Sequence, residues 1–317
     1  MTVIETEKLT KKFNDVVAVD DISLHVKQGE IYGFLGLNGA GKTTTIRLLL
    51  GMIKPGAGSF TLFGRKISND LSIWNEVGYL VETAHAYPEL TVRENLEVMF
   101  RLRGLADRNL ITGILDALHL TPYRDRQAKH LSSGNNQRLA LAKALIHSPK
   151  LLILDEPVNG LDPEGIVEIR MLFEDLAGNH NTTIFLSSHI LSEISKLATR
   201  IGIIHEGKLI KELTSSELHA QIIKKLYVDT VDNNRAVKFL QTKGFKATVN
   251  EKQYIEISDP SIIQKPEKIA TLLVHEQVPP KFLHVIEENL ESYFLRIIGM
   301  HRKANESAAA GFSGRSI

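Results

Sequence analysis

The sequence predicts a large α/β domain followed by a smaller α+β module, and three observations lead to this assignment. A chain of 317 residues with 43% hydrophobic residues can bury a full core and form more than one domain. Short apolar runs alternate with helical patterns as far as about Thr214, which is typical of an α/β domain. After about Lys225 the order of the predicted elements changes, which indicates a second module.

The strands of the predicted α/β domain are short runs rich in Val, Ile and Phe. They read DISLHV, EIYGFLG, GSFTLFG, EVGYLV, KLLILD, TTIFLSS and RIGIIHEGKLI. Glu206-Gly207 supplies a hairpin turn inside the last run. Between Glu82 and Leu131 helical patterns replace the strands, and TVRE at Thr91 has the spacing of a capping box. We therefore predict a domain of residues 1–215 with a helical insertion at about residues 83–135.

The second module follows another capping box, TSSE at Thr214, and the helix ELHAQIIKKL that it begins. From about Lys225 to Gly299 the order is strand LYVDT, helix NRAVKFLQTK, strands FKATVN and YIEIS, helix EKIATLLVHEQ and strand FLHVIE. That order matches a ferredoxin-like βαββαβ module, so residues 225–299 are predicted to form an accessory α+β unit. Residues 300–317 are small and polar, and we predict a disordered tail there.

The composition narrows the possible functions. A net charge of +1 provides no broad basic field, so nucleic acid is not an expected partner. The absence of cysteine excludes disulfides, thiolate metal sites and a cysteine nucleophile. No apolar run approaches the roughly 18 residues of a membrane span, and the N-terminus lacks the apolar core of a signal peptide. We therefore expect a cytoplasmic protein whose membrane role comes through a partner.

The clearest motif is GLNGAGKTT, which fits the phosphate-loop pattern G-x-x-x-x-G-K-[ST]. It follows the predicted strand EIYGFLG and precedes a helical pattern, as this loop requires. The backbone N–H groups from Asn38 to Thr43 are predicted to surround a β-phosphate, with Lys42 reaching the β and γ oxygens and Thr43 holding Mg²⁺. The predicted nucleotide-binding residues of this loop are Gly36, Asn38, Gly39, Ala40, Gly41, Lys42, Thr43 and Thr44.

Two carboxylates and a histidine follow other predicted strands. LLILDE is a continuous apolar run of the kind buried in a parallel sheet, and ligands bind where such strands end. Asp155 is predicted to hold the metal, and Glu156 to orient or deprotonate the attacking water. His189 ends the run TIFLSSH, where a hydrogen-bond donor can reach a γ-phosphate. A histidine there is more often a packed or capping residue, but the two neighbouring motifs reverse that expectation.

A second anion site is indicated by LSSGNNQRL, from Leu131 to Leu139. Apolar residues continue after it at helical spacing, so one of its serines is placed to cap a helix. Unpaired N–H groups in the first turn of a helix bind anions, and Gly134 lets a ligand approach the backbone. The chain thus carries two phosphate-binding features, although one nucleotide needs only one of them.

Together these motifs resemble the nucleotide-binding subunit of an ABC transporter over about Met1 to Thr214. Phe13 stands where the family stacks an aromatic ring on adenine, and a core phenylalanine is the alternative interpretation. The other motifs follow in the family's order: Gly36 to Thr44 as Walker A, Leu131 to Gln137 as the signature, Leu151 to Glu156 as Walker B with the catalytic glutamate, Asn159 to Asp162 as the D-loop and His189 as the switch histidine.

The resemblance implies ATP as the nucleotide, Mg²⁺ as its metal and a second ATPase domain as a partner. In this family two such domains pair head to tail, and each signature covers the ATP held by the other Walker A. The residues implied to contact the partner's ATP are Ser132, Ser133, Gly134 and Asn135. A homodimer is expected because this chain contains one such domain. A separate membrane permease is also implied, so the subunit is expected at the cytoplasmic face of the membrane, with Tyr87 to Leu90 where the family receives the permease's coupling helix.

Three positions depart from the family's usual pattern. Ser133 replaces a common glycine and Asn135 a common glutamine, for which we expect reduced efficiency at most. Glu82 stands where most members carry a glutamine that touches Mg²⁺ and the attacking water, so we include it among the metal-binding and catalytic residues. A carboxylate is an equally hard oxygen ligand. With a glutamate at this position, the chain resembles the exporters of bacitracin-like and lantibiotic peptides. The alternative interpretation is a substitution that has no functional meaning.

The implied function is ATP hydrolysis that powers the export of drugs or antimicrobial peptides. ESYFLRIIG, from Glu291 to Gly299, resembles the ending of such exporter ATPases, although a core helix would read the same. The alternatives are export of ions or another substrate class, a non-transport ABC protein acting on nucleic acid or ribosomes, and a P-loop kinase. A kinase that works as a monomer has no use for the signature. The accessory module is open to a dimerisation, regulatory or packing role.

Overall fold

The computed structural model describes residues 1–67, 70–81 and 86–299. Glu82 and the tail of residues 300–317 lie outside the described residues, so what the sequence predicts for them stays a prediction. The chain divides into two compact units, Met1–Glu217 and the residues from Leu218 onward.

The first unit alternates strands with helices, as its apolar runs predict. Its strands are β1 (Thr2–Phe13), β2 (Val16–Lys27), β3 (Ile31–Leu35), β4 (Ala57–Leu62), β5 (Val77–Leu80), β6 (Leu151–Asp155), β7 (Thr183–Ser188), β8 (Arg200–His205) and β9 (Lys208–Thr214). Its helices are α1 (Lys42–Leu49), α2 (Val92–Leu102), α3 (Asn109–Ala117), α4 (Ser133–Leu145), α5 (Pro163–Gly178) and α6 (Leu191–Leu197), and α7 (Ser215–Gln221) begins at its end.

The central sheet brings the ends of the motif-bearing strands to one edge. Its order is β5-β6-β7-β3-β8-β9, with the first five strands parallel and β9 antiparallel to β8. Strands β3, β6 and β7 are buried along their whole length, as their apolar sequences require. Because parallel strands end at the same edge, the segments that begin at Gly36, Glu156 and His189 lie close together.

A second, antiparallel sheet has the order β2-β1-β4, and β1 is missing from the strands that the sequence predicts. Its sequence TVIETEKLTKKF is rich in charge, and its pairing with β2 contains several register shifts. Register shifts interrupt the alternation of apolar and polar residues, which is the signal that identifies a half-buried strand.

The local signals read from the sequence are confirmed. Thr91 Oγ1 accepts from Glu94 N at 3.2 Å and Glu94 Oε2 accepts from Thr91 N at 2.7 Å, which is a capping box. Thr214 and Glu217 make the same two bonds before α7. The hairpin turn between β8 and β9 has positive φ at both central residues, 50° and 79° at Glu206-Gly207.

The second unit confirms the predicted βαββαβ order. Its elements are β10 (Lys224–Thr230), α8 (Asn233–Thr242), β11 (Ala247–Val249), β12 (Ile255–Ile257), α9 (Pro260–Gln264), α10 (Glu267–His275), β13 (Pro280–Glu287) and α11 (residues 290–299). The sheet order is β11-β12-β10-β13 with every neighbouring pair antiparallel, which is the ferredoxin-like arrangement. The short helix α9 is not among the elements that the sequence predicts.

The segment ESYFLRIIG forms α11 and contributes to a core. Tyr293 is fully buried, and Phe294 and Ile298 are nearly so. The Tyr293 hydroxyl donates to Oε1 of Gln221 at 3.1 Å, which satisfies its polar end. These contacts favour the interpretation of this segment as a packed helix.

His147 lies just after α4 and is held in its neutral form. Its Nε2 donates to the carbonyl oxygen of Val77 at 3.1 Å, while Nδ1 is buried without a partner in the described part of the chain. The pKa of His147 is lowered to about 4, chiefly by burial and next by the positive charge of Arg103, and the bond to Val77 offsets only part of this lowering. Protonation of this side chain therefore opposes folding.

Candidate active site

The loop between β3 and α1 has the geometry that phosphate binding requires. Gly41 has a φ of 108°, and a Cβ there would lie 2.4 Å from the carbonyl oxygen of Ala18, so only glycine fits. Asn38 and Gly39 are exposed at the tip of the loop. No side chain in the described part of the chain caps α1, so the N–H groups of its first turn remain available to an anion.

Lys42 is a buried cation at the start of α1. Its side chain is 6% exposed, and its Nζ donates to the carbonyl oxygens of Gly36 at 2.8 Å and Leu37 at 3.3 Å. A carboxylate oxygen of Glu156 lies 3.4 Å from the same Nζ. The charge of the ammonium is thus offset by the carboxylate that follows β6, which couples two of the predicted motifs.

The end of β6 is joined to α1 and to β7 through Asp155. Its Oδ2 accepts from the Thr43 hydroxyl at 2.6 Å, and its Oδ1 accepts from the Ser187 hydroxyl at 2.5 Å. The carboxylate is almost completely buried, so these two hydroxyls hold it in one orientation. A hydroxyl and a carboxylate oxygen side by side form a pair of hard oxygen ligands.

Glu156 is the carboxylate at the centre of the candidate site. Its Oε2 lies 2.9 Å from Nδ1 of His189, and its Oε1 faces Lys42. The residue has a φ of 49°, which costs a non-glycine residue about 1–3 kcal/mol and points to a positional requirement. The Ser187 hydroxyl accepts from its backbone N at 3.1 Å. The predicted residues Lys42, Glu156 and His189 therefore form one connected group.

The segment LSSGNNQRL forms the start of α4, as the sequence predicts. Ser132 is the N-cap, and its Oγ accepts from Asn135 N at 3.3 Å. Ser133 donates to the carbonyl oxygen of Gly160 at 3.4 Å, so the signature lies against the D-loop. A Cβ on Gly134 would lie 3.2 Å from the same oxygen, which leaves little space for a side chain on that side.

The four residues assigned to the partner's ATP line a depression that the phosphate-loop residue Thr43 does not line. Thr43, Asp155 and Glu156 line one cleft. The signature residues Ser132, Gly134 and Asn135 line another one, together with Asp162 and Glu168. Ser133 lines both depressions.

Two further predicted contact points lie at the surface. Phe13, at the end of β1, is 46% exposed, so it is not the core phenylalanine that the alternative interpretation requires. The ammonium of Lys11 lies 5.2 Å from the centre of its ring. The Tyr87 side chain is also exposed, in the segment from Tyr87 to Leu90.

Three polar residues that organise this region have no individual role predicted from the sequence. Ser187 bonds to both acidic motif residues, as described above, and Gln137 donates to the carbonyl oxygens of Glu156 at 3.3 Å and Pro157 at 2.8 Å. Asn95 is fully buried and bonds to the backbone of Tyr87 in both directions, at 2.8 and 3.1 Å. The available signal in the sequence was a polar residue inside an apolar pattern. Such a residue is expected to form a hydrogen bond when it is buried, but the sequence does not show to which group.

Comparison with known proteins gives consistent results. A family model described as ABC transporter matches residues 19–159. The bacitracin transport ATP-binding protein BcrA of Bacillus licheniformis is 41% identical and covers 94% of this chain and 98% of its own length. The Nod factor export ATP-binding protein I of Burkholderia pseudomallei is 34% identical, covering 93% of this chain and 97% of its own length. A solved ATP-binding subunit of an ABC transporter has a TM-score of 0.64 at 27% identity, covering 69% of this chain and 93% of its own.

A parallel sheet that leads into GLNGAGKTT, with two carboxylates at the end of β6, defines a P-loop NTPase. The relatives match it over nearly their whole length. The chain belongs to the ABC transporter family, as an ATP-binding and ATP-hydrolysing subunit. Among the helices that the structure describes, none has both the length and the apolarity needed to cross a membrane.

Proposed function

We propose that this subunit hydrolyses ATP to power a separate membrane permease that exports a bacitracin-like peptide antibiotic. The observation that carries the cargo assignment is the 41% identity to a bacitracin transport ATP-binding protein over 94% of this chain. That match includes the accessory unit as well as the ATPase domain. The relatives are named as transport and export proteins, which disfavours a non-transport role in nucleic-acid or ribosome biology.

Residues 1–215 are proposed to form the nucleotide-binding domain, and residues 225–299 the accessory module. In the first, the backbone of the phosphate loop and Lys42 bind the phosphates of ATP, and Phe13 stacks on the adenine. The exposed ring of Phe13 and the uncapped start of α1 support these roles.

The residues beside the phosphate loop fit a magnesium ion. Mg²⁺ is commonly held by one or two protein oxygens together with substrate phosphates and water. The Thr43 hydroxyl and the Asp155 carboxylate lie 2.6 Å apart and meet that description. Bound Mg²⁺ would neutralise phosphate charge during hydrolysis. Glu82 is proposed as a further oxygen ligand on the basis of the sequence pattern alone.

Glu156 is proposed to orient and deprotonate the attacking water, and His189 to donate to the γ-phosphate. The 2.9 Å contact between the two side chains supports a shared role. Lys42, on the other side of the carboxylate, ties its position to the phosphate loop.

A second copy of the chain is proposed to complete each ATP site. Ser132, Ser133, Gly134 and Asn135 would contact the ATP of the other copy. The supporting observation is that Ser132 and Gly134 line a depression separate from the one that Thr43 lines. A homodimer of this kind has two composite sites, because each copy supplies one phosphate loop and one signature.

The permease is proposed to dock at the segment from Tyr87 to Leu90 and at an apolar surface of the same unit. This surface is a depression whose exposed apolar side chains include Met52, Tyr79 and Leu102. A bound membrane subunit would cover these side chains. Docking there would hold the ATPase at the cytoplasmic face of the membrane. The buried Asn95 fixes the backbone of Tyr87 for this contact.

The test is co-expression of this chain with a candidate permease subunit, in a bacitracin-sensitive host. We expect resistance to bacitracin to rise only when both subunits are present, and to be lost with Glu156→Gln. The purified complex in lipid should show ATPase activity that bacitracin stimulates. Stimulation by unrelated drugs and not by bacitracin would overturn the cargo assignment and leave the ATPase role intact.

A further inference from the structure

The strand β13 presents a free edge at the surface of the second unit. It is the last strand in the order β11-β12-β10-β13, and in the described part of the chain it pairs only with β10. Phe282 and Ile286 on this strand are 42% and 43% exposed. An edge strand with exposed apolar side chains is a template for pairing with another strand.

The phase of the backbone on this edge follows from its pairing with β10. Glu288 N donates to the carbonyl oxygen of Ile223 at 2.7 Å, and the same register pairs Tyr227 with His284. Hydrogen-bonded and non-hydrogen-bonded positions alternate along an antiparallel ladder. His284 therefore directs its backbone N–H and C=O toward β10, while Leu283 and Val285 direct theirs toward the free edge.

The sequence of β13 is complementary to itself about His284. In KFLHVIE, residues 281–287, an antiparallel copy centred on His284 places Lys281 opposite Glu287 and Phe282 opposite Ile286. Leu283 and Val285 then face each other as hydrogen-bonded pairs, which agrees with the phase of the free edge.

The neighbouring registers that keep this phase are less favourable. Centring the pair on Leu283 places Lys281 opposite Val285. Centring it on Val285 places Glu287 opposite Leu283. Each of these registers replaces the two pairs of opposite charge with charges facing apolar side chains, so the register about His284 is the one selected.

We propose that two copies of this chain pair through their β13 strands, antiparallel about His284, to form one eight-stranded sheet from two four-stranded sheets. Lys281 takes part in no ion pair with the described residues of its own chain, which leaves it available to Glu287 of the second copy. Among the described residues, Glu287 forms an ion pair with Lys224 alone, and that pair is exposed at the surface. This contact goes beyond the proposed function, because it uses no nucleotide and keeps two copies together when ATP leaves.

Cysteine crosslinking tests the register, because the natural chain has no cysteine. At a non-hydrogen-bonded antiparallel pair the Cα atoms are about 4.5 Å apart, which a disulfide accepts. We expect full-length His284→Cys to form a disulfide dimer without nucleotide. The matched control Phe282→Cys alone should not, because its two copies are about 14 Å apart along the strands. Mixing Phe282→Cys with Ile286→Cys should restore the crosslink.

Absence of the crosslink at position 284, or equal crosslinking by Phe282→Cys alone, would overturn the proposal. A charge exchange provides a second test by sedimentation of the full chain without nucleotide. Lys281→Glu or Glu287→Lys alone should raise the dimer dissociation constant about tenfold, since each creates two like-charged pairs. The double variant should restore it. Unchanged association in the single variants, or no recovery in the double variant, would contradict the pairing, while ATPase activity is read out separately.

Discussion

Replacing Glu156 by glutamine changes one charge at the point where three motifs meet. The side chain keeps its size and can still bond to His189 and to the carbonyl-bound ammonium of Lys42. What disappears is a carboxylate 3.4 Å from Lys42 Nζ and 2.9 Å from His189 Nδ1, together with its ability to accept a proton.

Three effects of this change can be ranked. At an effective dielectric near 20, a pair of unit charges 3.4 Å apart interacts by about 5 kcal/mol before desolvation is counted. Lys42 keeps its two carbonyl acceptors, so we expect the folded state to lose only about 1–3 kcal/mol. The freed ammonium and the lost negative charge favour phosphate binding, so ATP affinity should be kept or increased. Loss of a general base costs about 10²–10⁴ in rate, or about 3–5 kcal/mol in the barrier.

The assay is phosphate release at saturating Mg²⁺ and ATP, with nucleotide affinity measured separately by calorimetry. We expect hydrolysis to fall at least about a hundredfold while ATP still binds and dimers accumulate. Glu174→Gln, an exposed residue of α5, is the matched control and should hydrolyse normally. A Glu156→Gln variant that binds ATP and hydrolyses it within twofold of the natural chain would refute the role of this carboxylate.

Three further predictions concern the metal and the pH dependence of stability. Thr43→Val removes the hydroxyl beside Asp155, so ATP affinity should fall about tenfold or more with Mg²⁺ and change little with EDTA; equal losses in both titrations would contradict the assignment. Glu82→Gln removes a negative charge and should raise the Mg²⁺ concentration for half-maximal activity, whereas an unchanged titration would favour a substitution without function. The pKa of His147 is about 4 in the folded state, below the value of about 6.5 expected in the unfolded chain. The free energy of unfolding is therefore highest above about pH 6.5, and it falls by about 1.4 kcal/mol per pH unit as the pH drops from there toward 4. In denaturant unfolding, the free energy of unfolding of His147→Phe should lack this fall between about pH 6.5 and 4. The same dependence on pH in the variant and the natural chain would show that His147 does not titrate in this way.

The fold was largely predictable because most of its strands and helices have signals in their own local sequence. A short, continuous apolar run such as LLILDE is typical of a strand that is buried in a parallel sheet. The spacing of TVRE alone predicts where the following helix begins. The strand β1 was not predictable, since its register shifts break the period-two pattern. Helix α9 is a single short turn after Asp259, which caps it, and so falls below the length at which periodicity can be seen.

The candidate site was predictable in its residues but not in its connections. The spacing of GLNGAGKTT identifies Lys42 and Thr43 at once. Lys42 contacts Glu156, which lies more than a hundred residues later in the chain. This contact depends on the order of the strands in the sheet, which cannot be read from the sequence. The same holds for Ser187, whose bond to Asp155 follows from β7 lying next to β6. Contacts across a sheet need the topology first.

In the proposed homodimer the signature of one copy covers the ATP of the other. Gly134→Asp places a carboxylate against the γ-phosphate and should block both sites of a homodimer, although its own phosphate loop still binds ATP. Gly134→Ala is the control for size alone, because a Cβ at this position lies 3.2 Å from the carbonyl oxygen of Gly160. Lys42→Ala damages the phosphate loop and leaves the signature intact.

The most direct measurement mixes Gly134→Asp chains with Lys42→Ala chains, each carrying a different tag and Glu156→Gln to slow hydrolysis, and counts trapped nucleotide. A mixed dimer pairs one intact phosphate loop with one intact signature and leaves its other site doubly damaged. We predict one occluded ATP per mixed dimer, held on the Gly134→Asp chain, and none in either variant alone. No occluded ATP in the mixture while the unmixed Glu156→Gln protein traps it, or ATP held on the Lys42→Ala chain, would contradict the composite site.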